Sequence, residues 1–401
     1  MSEEEYEYEI TPELVTEISK KSVRESQRIS ERLAKILGKL SKIREILLEK
    51  KEQDAKIVRM EGIDIPEIPA CYAIDSSFKS PLPLVFGDLF IVIGGYVRYP
   101  RVKGADTTVN RGLRVLVRCR EELTSRVQSA ISKIVERRIA LEILEHKEYD
   151  QDDRGWKILM FDGPLVPLWP IILFTRSLYR QEEKLLEMSR KIASICRNRR
   201  KTMLGIVKRV RTHFIGRGII RKYEELGILT GLEKETIKAM KEANDKALAT
   251  LLLEPGEALI IGKYGESEII ELELKEVGRK GAFDEFINNN EWVKDVIVAF
   301  IKPKRSKHVI RLEILDYGGI GTEKILAWIN ENSSHTACPH VLDIVDKYTA
   351  ISNIIYELAR KIIIKNTTRT LSSLLENLDV EEIDILLDLA DLQKKYIPRM
   401  G

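Results

Sequence analysis

The stretch Ala70-Cys71-Tyr72-Ala73-Ile74-Asp75-Ser76-Ser77 is an apolar run that ends in an aspartate and two serines. A second run of the same form, Ile158-Leu159-Met160-Phe161-Asp162-Gly163-Pro164, follows later in the chain. Short apolar runs bounded by turn-forming residues are typical of buried strands, which places each aspartate at the end of a strand. An isolated aspartate in such a place usually caps a turn. Two of them on neighbouring strands instead predict a site for a divalent metal, because Mg²⁺ and Mn²⁺ prefer carboxylate oxygens.

The segments between these two runs predict an α/β core. Residues 84–97 have the pattern of one or two strands interrupted at Gly94-Gly95, and residues 113–117 that of a third strand. An amphipathic helix over 121–146 then leads to the strand that ends at Asp162. Three strands, a helix and a further strand form the start of an RNase H-like fold. We therefore expect an RNase H-like mixed sheet core flanked by helices, with a long N-terminal helix and C-terminal helices.

A long helix is predicted over residues 12–51, with Thr11 as its N-cap and Pro12 in its first position. Its apolar residues alternate spacings of four and three, which is the seam of a coiled coil or of a helix packed on a partner. They are Ile29, Leu33, Ile36, Leu40, Ile43 and Leu47. A dimerisation arm and an intramolecular brace both agree with this pattern.

The middle of the chain has the least regular pattern. Residues 232–251 predict a helix, and residues 258–261 and 268–274 predict strands. We expect three parts: an N-terminal helical arm over 1–60, a core formed by 61–223 and 291–401, and an inserted α/β segment over 224–290.

The composition predicts a globular protein. The chain has 401 residues, of which 44% are hydrophobic, enough for a substantial core. No apolar stretch reaches the roughly 18 to 20 residues that span a bilayer, and the start is acidic, so we expect a cytoplasmic protein without a membrane partner. The four cysteines include no Cys-x-x-Cys pair, which gives no support to a zinc site or a disulfide framework.

The charge distribution favours a nucleic-acid partner more than the net charge of +3 does. No acidic residue occurs between Ser189 and Lys222, whereas cations are frequent there. Such a block is suited to phosphate contacts, which dominate sequence-independent affinity for DNA. The predicted DNA-binding residues are Arg197, Arg199, Arg200, Lys201, Lys208, Arg209 and Arg211.

Four segments together resemble the NurA nuclease family. They are Ala73-Ile74-Asp75-Ser76-Ser77, Phe161-Asp162-Gly163-Pro164-Leu165, Gly205-Ile206-Val207-Lys208-Arg209 and Pro339-His340-Val341-Leu342-Asp343-Ile344-Val345-Asp346. The resemblance implies an archaeal, Mn²⁺-dependent DNA nuclease of the 5′ to 3′ exonuclease and single-strand endonuclease type, with Mg²⁺ as a possible substitute. It also implies a homodimer that works with the hexameric ATPase HerA in DNA end resection and recombinational repair.

The resemblance further implies which residues form the site. Asp75, Asp162, a helical glutamate and a C-terminal acid would hold the metal, and Lys208 would bind the scissile phosphate. Glu136 matches the helical glutamate best, with Glu142 and Glu122 as alternatives. Asp346 matches the C-terminal acid, with Asp343 as the alternative, although Cys338-Pro339-His340 stands where relatives have Gly-Tyr-Pro. The pair Arg311 and Glu313 is expected to support the site through DNA contact or an ion pair.

Two other classes of function agree with parts of the sequence. An actin-like ATPase also uses strand-end aspartates on an RNase H-like core, but Tyr317-Gly318-Gly319-Ile320-Gly321 predicts a turn and not a phosphate loop. A catalytically inactive relative that binds DNA or docks on an ATPase is the second alternative.

Overall fold

The structure is a computed structural model that describes residues 12–49, 55–65, 70–79, 82–84, 87–101, 110–120, 125–146, 157–167, 176–210, 212–229, 232–277 and 281–374. The helices are α1 Pro12–Glu49, α2 Ser125–Glu145, α3 Arg176–Asn198, α4 Arg221–Glu225, α5 Lys234–Glu242, α6 Asp245–Leu252, α7 Glu268–Val277, α8 Ala282–Asn289, α9 Thr322–Asn332, α10 His340–Thr349 and α11 Asn353–Leu374. A π-helix, Phe214–Ile220, precedes α4, and a 3-10 helix, Glu291–Asp295, follows α8. The strands are β1 Lys56–Arg59, β2 Cys71–Phe78, β3 Leu82–Leu84, β4 Gly87–Tyr99, β5 Arg111–Arg120, β6 Ile158–Asp162, β7 Thr202–Val207, β8 Glu257–Lys263, β9 Ile297–Lys302 and β10 Ile310–Asp316.

All these strands belong to one mixed sheet of ten, in the order β1-β8-β9-β10-β7-β6-β2-β4-β3, with β5 paired to β4. The strands β2, β4 and β5 are antiparallel neighbours, and β2, β6 and β7 run parallel. The helix α2 connects the antiparallel part to β6, which confirms the predicted RNase H-like order. The parallel strands end at one edge of the sheet, and this edge carries Asp75 and Asp162.

The strand β4 is continuous through the glycine pair that was expected to interrupt it. A Cβ atom on Gly94 would lie 2.5 Å from Cγ1 of Val135 and 2.9 Å from Cδ1 of Ile139. Both side chains belong to α2, so the glycine allows this helix to lie directly on the sheet. The pair therefore marks a close helix-sheet contact and not a break in the strand.

The segment over 224–290 extends the central sheet, because its strand β8 pairs with β1 on one side and β9 on the other. The strand expected over 258–261 is confirmed, but the one expected over 268–274 is wrong, since those residues belong to α7. Their alternation of apolar and acidic residues imitates a strand. Glutamate, leucine and lysine favour helix, and α7 packs against the π-helix with Ile269 and Leu274 buried.

The apolar stripe of α1 divides into two parts. Ile36, Leu40, Ile43 and Leu47 are buried in the core, whereas Ile29 and Leu33 are 55% and 42% exposed. The C-terminal half of α1 thus braces β1, α5 and α6 within the same chain. Along the described ranges, no helix is both long and apolar enough to cross a membrane.

Candidate active site at the edge of the parallel strands

Asp75 and Asp162 lie side by side at the carboxyl edge of the sheet. The parallel register pairs Ile74 of β2 with Phe161 of β6, so the next residue of each strand is an aspartate. Asp75 is 4% exposed, and its Oδ1 accepts a hydrogen bond from the backbone N–H of Ser76 at 2.7 Å. The sequence prediction of two strand-end acids on neighbouring strands agrees with this arrangement.

Glu136 projects from α2 towards the same edge and is fully buried. Its Oε1 accepts hydrogen bonds from Ser76 Oγ and Lys133 Nζ, each at 2.7 Å. Its Oε2 has no hydrogen-bond partner, and Nη1 of Arg137 lies 3.7 Å away. A buried carboxylate oxygen without a donor is costly, and such an atom is available to a ligand that binds in the site.

Two lysines lie among the acids. Lys208, immediately after β7, places Nζ 2.8 Å from Oδ2 of Asp162 and 3.5 Å from Oδ2 of Asp346 on α10. Lys133 donates to the backbone oxygen of Asp162 as well as to Glu136. We call Asp75, Glu136, Asp162 and Asp346 the carboxylate cluster.

Burial raises the pKa of Asp75 to about 8, and the neighbouring charges of Asp162 and Glu136 add to that shift. Burial also raises the pKa of Glu136, against the opposing effects of Lys133 and Arg137. Burial by itself would lower the pKa of Lys208, but the hydrogen-bonded Asp162 carboxylate more than compensates and raises it above its ordinary value. Acids crowded in a buried edge thus repel one another, and this repulsion favours either protons or a bound cation.

The residues present match a divalent metal by their chemistry. The carboxylate cluster supplies the hard oxygen ligands that Mg²⁺ and Mn²⁺ take, and the unpartnered Oε2 of Glu136 is a free ligand atom. Within the described residues, no three acidic, histidine or cysteine side chains stand close enough together to form a ready-made metal centre. Instead, two of the acids are bound by lysines: Lys133 binds Oε1 of Glu136, and Lys208 binds Oδ2 of Asp162.

The alternative acids are placed elsewhere. Glu142 pairs with Arg114 of β5, whose Nη2 lies 2.7 Å from its Oε2. Asp343, in the first turn of α10, accepts a hydrogen bond at 2.7 Å from Oγ of Ser334, which belongs to the segment before this helix. Glu122 lies outside the described residues. The structure therefore brings Glu136 and Asp346, and not Glu142 or Asp343, to the edge that carries Asp75.

The basic block does not form one continuous patch. Lys208 and Arg209 follow β7, next to the carboxylate cluster, whereas Lys201 precedes this strand. Seven residue steps at ~3.3 Å per residue separate Lys201 from Lys208, or roughly 23 Å. Arg199 and Arg200 share the far end of the strand, and Arg197 there pairs with Asp295 at 2.9 Å. Arg211 lies outside the described residues, and DNA contact by this block stays a prediction.

A buried polar network holds the loop after Asp162. Only its Arg311–Glu313 pair was predicted from the sequence. The carboxylate of Glu313 on β10 accepts hydrogen bonds from the backbone N–H of Val166 at 2.9 Å and from Arg311 Nη2 at 2.8 Å. Nη2 of Arg137 donates to the backbone oxygen of Pro164 at 3.0 Å. Arg311 and Glu313 thus form the expected ion pair, and because both are buried they are not exposed for contact with DNA.

The same loop passes over a glycine of β7. A Cβ atom on Gly205 would lie 2.8 Å from the backbone oxygen of Gly163 and 2.8 Å from the backbone nitrogen of Leu165. Any larger residue would displace the loop from the sheet. Gly205 therefore lets the Asp162 loop lie against β7, within reach of Glu313.

Lys133 and Ser76 also belong to the site, although neither was predicted as a site residue from the sequence. The sequence could have predicted the role of Lys133, because residues three apart on a helix share a face and Lys133 precedes Glu136 by that spacing. Ser76 follows Asp75 directly, but which acid its hydroxyl binds depends on how α2 packs on β2.

The fold and this edge define a class of protein: an RNase H-like α/β protein with buried carboxylates at the ends of parallel strands. The chain belongs to the NurA domain family, whose model matches residues 69–351. The crystal structure of the NurA nuclease from Sulfolobus solfataricus is similar to it, with a TM-score of 0.50 and 14% sequence identity over 90% of this chain and 99% of that chain. No curated protein sequence matches the chain significantly.

Proposed function

We propose that this protein is a metal-dependent deoxyribonuclease that hydrolyses phosphodiester bonds at the carboxylate cluster. The observation that carries the proposal is the convergence of Asp75, Glu136 and Asp162, from two strands and a helix, beside Lys208. Membership of the NurA family and the nuclease name of the Sulfolobus relative support it.

In this proposal Asp75, Glu136, Asp162 and Asp346 hold the metal. When bound, a divalent metal in such a site makes a water molecule more acidic and stabilises the charge that develops at phosphorus. Lys208 is placed to bind the scissile phosphate, because its ammonium already lies among the acids that would position that phosphate. Lys133 keeps Glu136 oriented towards β2, since it binds both Glu136 and the backbone of Asp162.

The proposal also includes the more specific properties that the family resemblance implies. They are Mn²⁺ as the preferred metal, cutting as a 5′ to 3′ exonuclease and single-strand endonuclease, a role in end resection and recombinational repair, partnership with a HerA-type hexameric ATPase, and a cytoplasmic location. Family membership supports them. The exposed residues Ile29 and Leu33 on α1 support a homodimer, because they continue the seam whose other half is buried.

The experiment is cleavage of end-labelled single- and double-stranded DNA by purified wild type, Asp75→Ala and Asp343→Asn, each with Mn²⁺, Mg²⁺ or EDTA. We expect cutting by wild type in Mn²⁺ and none by Asp75→Ala, while DNA affinity in EDTA is retained. Asp343→Asn is the matched control, since it also removes one carboxylate charge, but from a side chain in the first turn of α10 that binds Ser334. If wild type binds DNA but cuts none with either metal, even with the ATPase added, the protein is an inactive DNA-binding or docking subunit and the proposal fails.

A further inference from the structure

A group of cationic side chains lies outside the carboxylate cluster. A cavity of about 430 Å³ opens between β5, α2 and α3. Four cations line it, together with Gln181 and an apolar floor of Leu116, Ile131 and Ile134. The cations are Arg118, Arg138, Arg180 and Lys184. We call this feature the basic cavity.

The cations of the basic cavity differ from other cations on the same elements in their pairing with acidic side chains. On β5, Arg114 pairs with Glu142 at 2.7 Å, and on α3, Lys191 pairs with Glu145 at 2.7 Å. None of the four lining cations makes a salt bridge within the ranges that the structure describes. Grouped positive charges without acidic partners repel one another, and an anion that binds between them relieves that repulsion.

The basic cavity is separate from the carboxylate cluster. At about 100° per residue, Glu136 lies roughly 160° around α2 from both Ile134 and Arg138. These two residues line the cavity, whereas Glu136 reaches Ser76 on the sheet. A ligand in the cavity is thus about one helix diameter, ~10 Å, from the acids, and its phosphates are not those that would be cut.

The size and lining of the cavity indicate the kind of anion. Its volume is in the ~300–1,000 Å³ range of small-ligand sites, which suits one nucleotide and is too small for a duplex. The cations suit phosphate oxygens, and the aliphatic floor suits a sugar or base. A small inorganic anion would leave that floor without contacts.

We propose that the basic cavity binds one nucleotide of a single DNA strand, with its phosphates on the lining arginines and lysine and its base or sugar on the aliphatic floor. This inference rests on the proposed nuclease function, since it gives the strand an anchor next to the cutting site. The shared chemistry is that of a nucleoside phosphate, so a free nucleotide is the other source to distinguish.

The test is binding of a fluorescent oligothymidylate in EDTA, measured by anisotropy at several salt concentrations. The variant Arg138→Gln/Arg180→Gln removes two exposed cations of the cavity, and Lys234→Gln/Lys238→Gln removes two exposed cations of α5 as a matched control. Because a single strand contributes ~0.7 to the salt slope for each neutralised phosphate, we expect the slope of the cavity variant to fall by roughly 1.4 and its affinity to fall several-fold. Lys184→Gln alone should lower the slope by roughly 0.7.

Two results overturn the proposal: a cavity variant that keeps the wild-type affinity and slope, or a control variant that loses as much as the cavity variant. Thermal midpoints of all variants, measured with and without thymidine monophosphate or inorganic phosphate, complete the test. Stabilisation of wild type by the free nucleotide, lost in the cavity variant while DNA binding is unchanged, would assign the cavity to a free nucleotide instead. Cleavage is measured separately: a wild type that cuts DNA with neither metal, even with the ATPase added, refutes the nuclease proposal. If wild type cuts DNA but the cavity variant keeps the wild-type salt slope, only the cavity proposal is refuted.

Discussion

Oε2 of Glu313 lies 2.9 Å from the backbone nitrogen of Val166, so a buried carboxylate of β10 holds the loop that begins at Asp162. Its other oxygen is bound by Arg311 and by the hydroxyl of Tyr264 at 3.2 Å. Glu313 on β10 reaches across β7 to the loop that follows β6. This loop can lie close to β7 because Gly205 has no side chain there. The position of Asp162 thus depends on residues far away in sequence.

Replacing Glu313 by Gln should destabilise the protein strongly. Removal of one partner from a buried ion pair costs about 3–5 kcal/mol, since Arg311 keeps an uncompensated charge. The double variant Arg311→Met/Glu313→Leu should lose less, because neither member of this ion pair then remains buried without the other. Urea unfolding of both variants measures the difference, and equal losses would contradict the ion-pair interpretation.

Replacing Glu136 by Gln should abolish cleavage, whereas Glu142→Gln should leave it within about twofold of wild type. Glu136 belongs to the carboxylate cluster, and Glu142 is bound to Arg114 on the other side of α2. Loss of one proposed ligand weakens the binding of the metal that the proposed hydrolysis needs. Initial cleavage rates at saturating Mn²⁺ distinguish the two positions, and a Glu142→Gln enzyme that is inactive would reassign the helical acid.

The metal-free protein should lose stability as the pH rises from about 4 to 8. The pKa of Asp75 is raised from 3.8 to about 8 in the folded state, so the folded state holds that proton more tightly than the unfolded chain. This contribution is present in full at low pH and disappears as Asp75 ionises beside Glu136 and Asp162. Asp75→Asn cannot ionise, so its thermal midpoint in EDTA should depend less on pH over this window. Parallel curves for wild type and Asp75→Asn would show that Asp75 does not titrate there.

The two halves of α1 should respond differently to truncation. Ile43→Ala should cost about 2–5 kcal/mol, because the side chain is fully buried. Ile29→Ala should change the stability of the monomer by no more than about 0.5 kcal/mol, because its side chain is 55% exposed. Urea unfolding at two protein concentrations, with light scattering for mass, also tests the proposed dimer. A loss for Ile29→Ala that grows with concentration would place this residue in an interface between copies.

Local sequence patterns predicted those parts of the protein that depend on residues a few positions apart. Apolar runs ending in Asp75 and Asp162 fixed the two strands of the edge, and the four-three spacing fixed the long helix α1. Side-chain periodicity and turn residues act over a few positions, so they can be read in order along the chain. The same local reading was wrong for residues 268–274, where helical packing against the π-helix outweighed the alternating pattern.

Packing in three dimensions determines which polar groups meet. It selected Glu136 over Glu142 and placed Lys133 beside the acids. It also separated Lys208 from Lys201 by the length of β7, although a single acid-free block contains both. The physical reason is that a strand carries its two ends to opposite edges of the sheet, and a helix presents only one face to it. Distances between groups on different elements depend on packing across the sheet, which no spacing along the chain specifies.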